Sequence, residues 1–79
     1  MHAFSSFTAQ MWQSQPDGKL VSQIDDLSVD AAREIARSAT MTGHTGRIIC
    51  NDSDYCEVFD PKRGFRSGKF AETVFAVGG

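Results

Sequence analysis

Cysteine is scarce, at two residues, and so are proline at two, tryptophan at one and tyrosine at one, in a chain of 79 residues. Two cysteines are too few for a disulfide-stapled scaffold. There is no C-x-x-C pair, and His2 and His44 do not stand at zinc-ligand spacing, so no metal is expected. No apolar run approaches the roughly 20 residues that cross a bilayer, which excludes a membrane span. Neither sign of charge dominates: eight basic against ten acidic side chains give net −2, with a pI near 5.5. That balance excludes a basic nucleic-acid coat. The phosphate-loop patterns G-x-x-x-x-G-K-[ST] and G-x-G-x-x-G are missing. So are the nucleophile elbow and any triad order. The carboxylate pairs Asp25-Asp26 and Asp52/Asp54 read as a strand end and a polar turn, not as acid–base partners. An enzyme is not expected, and no cofactor is implied.

What remains is ordinary globular composition, 41 % apolar and 23 % charged, in one domain over residues 1–79. A chain this short buries only about 60 % of its unfolded surface. The start, Met1-His2-Ala3-Phe4-Ser5-Ser6-Phe7, has no basic region and no continuous apolar stretch. No signal peptide is therefore expected, the expected location is the cytosol, and Cys50 and Cys56 are expected to stay reduced there.

The pattern along the chain predicts a two-layer α+β sandwich, one helix packed on an antiparallel sheet in the order ββαβββ. Residues 3–12 alternate as a strand, with Phe7, Ala9 and Met11 on one face. Gln15-Pro16-Asp17-Gly18 is a turn, and 19–25 is the return strand. Ser28 is a helix N-cap, Asp30 complements the positive helix end, and Leu27 is placed to staple onto Ala32. Val29, Ala32, Ile35, Ala36 and Ala39 then recur at helical spacing, and Gly43 is the stop. Gly43-His44-Thr45-Gly46 reads as a loop, a helix cap with a tight turn rather than an anion cradle. Residues 47–50 and 55–60 form a second hairpin around 51–54. Asp60-Pro61-Lys62-Arg63-Gly64 is a turn. Residues 65–69 carry two glycines among their neighbours and are ambiguous, and 70–77 alternates as the final strand.

Single residues follow from this layout. Cys50 and Cys56 are expected as buried thiols. A two-residue loop at Asp52-Ser53 sets Cys50 opposite Tyr55, with the sulfurs on opposite faces; a five-residue loop sets the two cysteines opposite each other. Trp12 is a core lid or an exposed anchor, the lid being preferred. Charge is the uneven feature. Residues 52–60 carry Asp52, Asp54, Glu57 and Asp60 with no base, and residues 61–69 carry Lys62, Arg63, Arg66 and Lys69 with no acid. One reading is a solvated surface of compensating charges. The other is a contact surface built from Arg47, Lys62, Arg63, Phe65, Arg66, Lys69, Asp52, Asp54 and Glu57, with Phe65 among the arginines in the manner of an interface anchor. The same aromatic and basic set suits base stacking with phosphate contacts.

The stretch Ser28-Val29-Asp30-Ala31-Ala32-Arg33-Glu34-Ile35-Ala36-Arg37, the later Glu57-Val58-Phe59-Asp60-Pro61, the short acidic chain and the ββαβββ order are together similar to small phage- and prophage-borne proteins. Among these the chain resembles the anti-CRISPR proteins that inhibit type I (Cascade) interference complexes. The resemblance is one of layout and carries over no site residue. It implies a non-enzymatic inhibitor in the host cytosol that binds a large protein or ribonucleoprotein complex, Cascade-like, and hinders capture of target DNA. In that role the basic loop meets acidic patches, and Asp52, Asp54 and Glu57 stand where the partner expects phosphate. Two other readings stand beside it. One is a nucleic-acid-binding accessory protein using the basic loop 61–69 with Arg47. The other is a homo-oligomeric structural protein, or a homodimer, joined through strand 70–77, whose apolar residues fall on both faces.

Overall fold

A computed structural model describes residues 6–13 and 18–70. Its elements run β1 (Phe7–Gln13), β2 (Leu20–Leu27), α1 (Val29–Met41), β3 (His44–Cys50), β4 (Tyr55–Asp60) and β5 (Gly64–Lys69). The strands form one antiparallel sheet in the order β2-β1-β3-β4-β5, and α1 packs on one of its faces. This is the α+β layout, ββαβββ, that the pattern predicts. The chain enters the sheet near its middle: β1 pairs with β2 on one side and with β3 on the other. The long connection through α1 is what lets β3 return to β1 rather than extend the sheet beyond β2.

The helix forms for local reasons. Ser28 Oγ accepts from the Ala31 amide at 3.2 Å, and Asp30 lies in the first turn, where a negative charge meets the unsatisfied amides. At the other end the amides of Thr42 and Gly43 donate to the carbonyls of Ala39 and Thr40, both at 3.1 Å. Gly43 then turns the chain at φ 81, a conformation nearly closed to residues with a side chain.

The helix face that meets the sheet is Ala32, Ala36 and Ala39, all fully buried. Small side chains let the helix come close, and β3 answers with a glycine. A Cβ on Gly46 would stand 2.6 Å from Ala36 Cα and closer still to the Ala36 carbonyl oxygen. The core is Ala9, Ala32, Ala36 and Ile48, with Phe7, Leu27, Ile35 and Phe59 packed around it. Leu27, partly buried, packs against the cluster that holds Ala32. Full burial of Ile48 contributes about 1.5–3 kcal/mol.

Three expectations are corrected. Residues 44–46 are strand, not loop: His44, Thr45 and Gly46 pair with Gln13, Trp12 and Met11, so their backbone belongs to the sheet and not to an anion cradle. The fifth strand is 64–69, the stretch that reads as ambiguous from its glycines. The expected strand 70–77 lies, apart from Phe70, outside the described residues. Strand β2 also runs past residue 25 to Leu27, with Asp26 at φ 59 absorbing an irregularity in its pairing with β1. The turn at 15–18 lies, apart from Gly18, outside the described residues, as do residues 3–5 of the first strand.

Both cysteines are buried and form no disulfide. The β3–β4 register, Ile49 opposite Cys56, puts Cys50 opposite Tyr55 and sends the two sulfurs to opposite faces. Trp12 is half-buried on the sheet face away from the helix, so it is not a lid on the α1 side. The Arg47 guanidinium lies over its ring at 4.3 Å, and its indole N–H donates to Gln10 Oε1 at 2.9 Å.

Candidate functional site

The charged residues singled out in the sequence fall into four groups, and the pairing of β4 with β5 decides the division. The register runs from Asp60 opposite Gly64 to Tyr55 opposite Lys69. Three residues, 61–63, close this hairpin. Asp60 accepts from the amides of Lys62 at 2.8 Å and Arg63 at 3.0 Å, and Gly64 follows at φ 82. This is a tight turn completed by a left-handed glycine. Burial pushes the Asp60 carboxyl up, but the two amides, with Arg66 and Arg63 nearby, outweigh it and hold the group below its ordinary range. Asp60 is therefore the residue that positions the basic turn.

The first group lines the sheet edge. Lys62 and Arg63 lie in the turn, and Phe65, Arg66 and Lys69 follow along β5, which among the described residues has no strand on its outer side. Alternation places Phe65 and Lys69 on the helix side and Arg66 on the other. Phe65 is 55 % exposed, and its ring meets that of Phe59 at 5.0 Å with a 59° tilt. Phe59, Phe65, Arg33 and Arg37 together line an open depression of about 380 Å³ between the helix and the edge. Arg37 is thus a further basic residue beside this edge. The sequence reading missed it, although its position one turn after Arg33 on the polar helix face is a signal that could have placed both against one strand.

The second group is Arg47, which stands apart from that edge. It lies on the face away from the helix, in a cross-strand row of Gln10, Arg47, Val58 and Arg66. Burial lowers the pKa of its guanidinium, and the nearby Arg66 acts in the same direction. Its charge faces the Trp12 ring, a cation–π contact.

The third group is Asp52 and Asp54, exposed in the β3–β4 turn. That turn and the basic one cap opposite ends of β4. A six-residue strand holds them roughly 20 Å apart. The acidic turn and the basic turn therefore stand apart, while Lys69, opposite Tyr55, reaches the acidic end of β4.

Glu57 belongs to none of these surfaces and is corrected as a contact residue. It is fully buried on the helix side of β4. Arg33 grips it side-on, Nε to Oε1 at 3.0 Å and Nη2 to Oε2 at 2.7 Å, and Tyr55 Oη donates to Oε2 at 2.6 Å. The Arg33 hydrogen bonds hold the Glu57 carboxyl below its ordinary value, against burial, which pushes it up. In return the carboxylate raises the pKa of Tyr55 and of Arg33. This triad ties α1 to β4, and no local pattern marks it, because Arg33 and Glu57 are 24 residues apart.

His44 is the remaining candidate from the sequence. Its Nδ1 lies 2.9 Å from Thr42 Oγ1 at the helix end, away from both cysteines in the strand register. Among the described residues no group of three or more His, Cys, Asp or Glu side chains is placed to hold a metal ion. No helix among them is long and apolar enough to cross a membrane. Comparison with family models, with curated proteins and with solved structures gives no match.

Proposed function

We propose that this protein is a non-enzymatic inhibitor that binds a larger protein or ribonucleoprotein through its β5 edge. The observation that carries the reading is the gathering of Lys62, Arg63, Arg66 and Lys69 on one sheet edge, with the half-exposed Phe65 beside them and Arg37 across the depression. An aromatic anchor with cations along the same edge suits an acidic surface, since the aromatic side chain supplies buried area while the charges set orientation and on-rate. The partner chemistry is thus a negatively charged face carrying an apolar notch. The resemblance to anti-CRISPR proteins gives this its concrete form: the partner is a type I Cascade complex, and the bound protein hinders access of target DNA.

The test is capture of purified Cascade, with and without guide RNA, on the immobilised protein. A stoichiometric complex is expected, weakened at least tenfold by Lys62→Glu with Lys69→Glu and by Phe65→Ala, and unchanged by charge reversal at Asp52 and Asp54. Absence of any complex at micromolar protein removes the Cascade reading. A gel shift with naked RNA or DNA whose affinity falls steeply with salt replaces it with direct nucleic-acid binding.

A further inference from the structure

The two edges of the sheet differ in a way that matters for self-association. At β5, a second copy laid antiparallel alongside would bring Lys69 of each copy toward the turn cations of the other and Arg66 near Arg66, and charge of one sign blunts such an edge. Strand β2, at the other edge, has no such guard. It is eight residues long and, among the described residues, pairs with β1 alone. Every residue from Leu20 to Asp26 is exposed, and three are large and apolar: Leu20 at 44 %, Val21 at 49 % and Ile24 at 46 %. Its outer row of amides and carbonyls is a template for another strand.

Charge along β2 is polarised. Lys19 stands just before one end, and Asp25 and Asp26 stand at the other. An antiparallel copy of the same strand reverses that order, so each Lys19 comes to the acidic end of its partner, and the match is made twice. The pairing irregularities against β1 fall at the two ends of β2, near Leu20 and near Asp26. Between them Ser22, Gln23 and Ile24 keep an unbroken ladder with Met11, Gln10 and Ala9. We infer that the protein dimerises through β2, edge to edge and antiparallel, about a two-fold axis near Ser22. The two five-stranded sheets then become one of ten strands, and the flanks of the exposed Leu20, Val21 and Ile24 are partly shielded by the neighbouring strand. The contact is smaller than the ~800 Å² per partner of a standard interface, so the dimer forms reversibly as concentration rises. The β5 edge stays open at both ends of the joined sheet, so this association neither needs nor blocks the binding proposed above.

Sedimentation velocity on the full chain, from low micromolar to millimolar, tests the inference. The expected result is a concentration-dependent shift from one chain to two, weakened by added salt. Val21→Lys should abolish it, and Lys19→Glu should raise the dimer dissociation constant about tenfold by turning both end contacts repulsive. Lys19 and Val21 are exposed, so both variants should melt close to the parent, and thermal unfolding verifies that they are folded. A chain that stays monomeric throughout overturns the inference. So does a dimer indifferent to Val21→Lys and Lys19→Glu, or one broken instead by Lys69→Glu.

Discussion

Replacing Arg33 with Met removes a cation and two hydrogen bonds from a carboxylate that water does not reach. Glu57 has three donors: Arg33 Nε and Nη2, and Tyr55 Oη. In Arg33→Met only the tyrosine remains. Breaking a buried pair from one side typically costs about 3–5 kcal/mol, because a charge is left enclosed without its partner. Arg33 is 39 % exposed whereas Glu57 is fully buried, so water at the rim softens the loss. A cost of about 2–3 kcal/mol follows, a large share of the ~5 kcal/mol that a domain of this size commands. The melting temperature should fall by on the order of 10–15 °C.

The pH dependence separates this from a generic packing loss. In the parent the folded-state pKa of Glu57 is depressed. Its contribution is therefore present above the ordinary glutamate value, about 4.3, and is lost as pH falls through the lower folded value. In Arg33→Met, burial acts without its chief opponent and the folded pKa rises above the unfolded one. The carboxyl then takes up a proton on folding, and the variant regains ground as pH falls toward about 4. Urea unfolding followed by circular dichroism should show the gap between parent and variant narrowing from about pH 7 to about pH 4.5. Arg33→Met with Glu57→Leu should recover much of the loss, since an apolar pair leaves no stranded charge. A variant within about 0.5 kcal/mol of the parent at neutral pH, or a gap that stays constant with pH, would refute the reasoning.

The helix–sheet contact makes a second prediction. Gly46→Ala drives a methyl group into the Ala36 backbone, which cannot rotate away, so the helix must lift and stability should drop by about 1–3 kcal/mol or more in chemical denaturation. Ser28→Ala removes the acceptor of the Ala31 amide and should cost about 1 kcal/mol by thermal melt, with no effect on binding at β5.

The elements visible in the sequence are those set by near neighbours. Helix α1 was legible from its apolar spacing, its serine cap and its terminal glycine, all within one turn of where they act. The β3–β4 hairpin and the 61–63 turn were legible for the same reason, since Asp60 bonds the amides two and three residues ahead. Strand β5 was not. Its Gly64 and Gly68, at φ 82 and φ 147, weaken any local strand signal, and pairing with β4 holds it extended. The Gly43–Gly46 stretch misled in the opposite sense. Two glycines read as a loop, yet Gly46 is there to let a helix approach a strand, a demand that comes from the other layer.

The functional residues divide along the same line. Composition and short-range order determined that this is one small α+β domain with a basic stretch at 61–69, and that is as far as they reached. Which of those charges face outward was a tertiary decision. Glu57 looks like its neighbours Asp52 and Asp54 in sequence but is taken inside by Arg33, a residue of another element. Arg47 looks like Arg63 but is turned to the far face and laid on Trp12. An ionisable side chain carries no local mark of whether it will meet water or an opposite charge from across the core, because that depends on which strands the sheet sets beneath the helix.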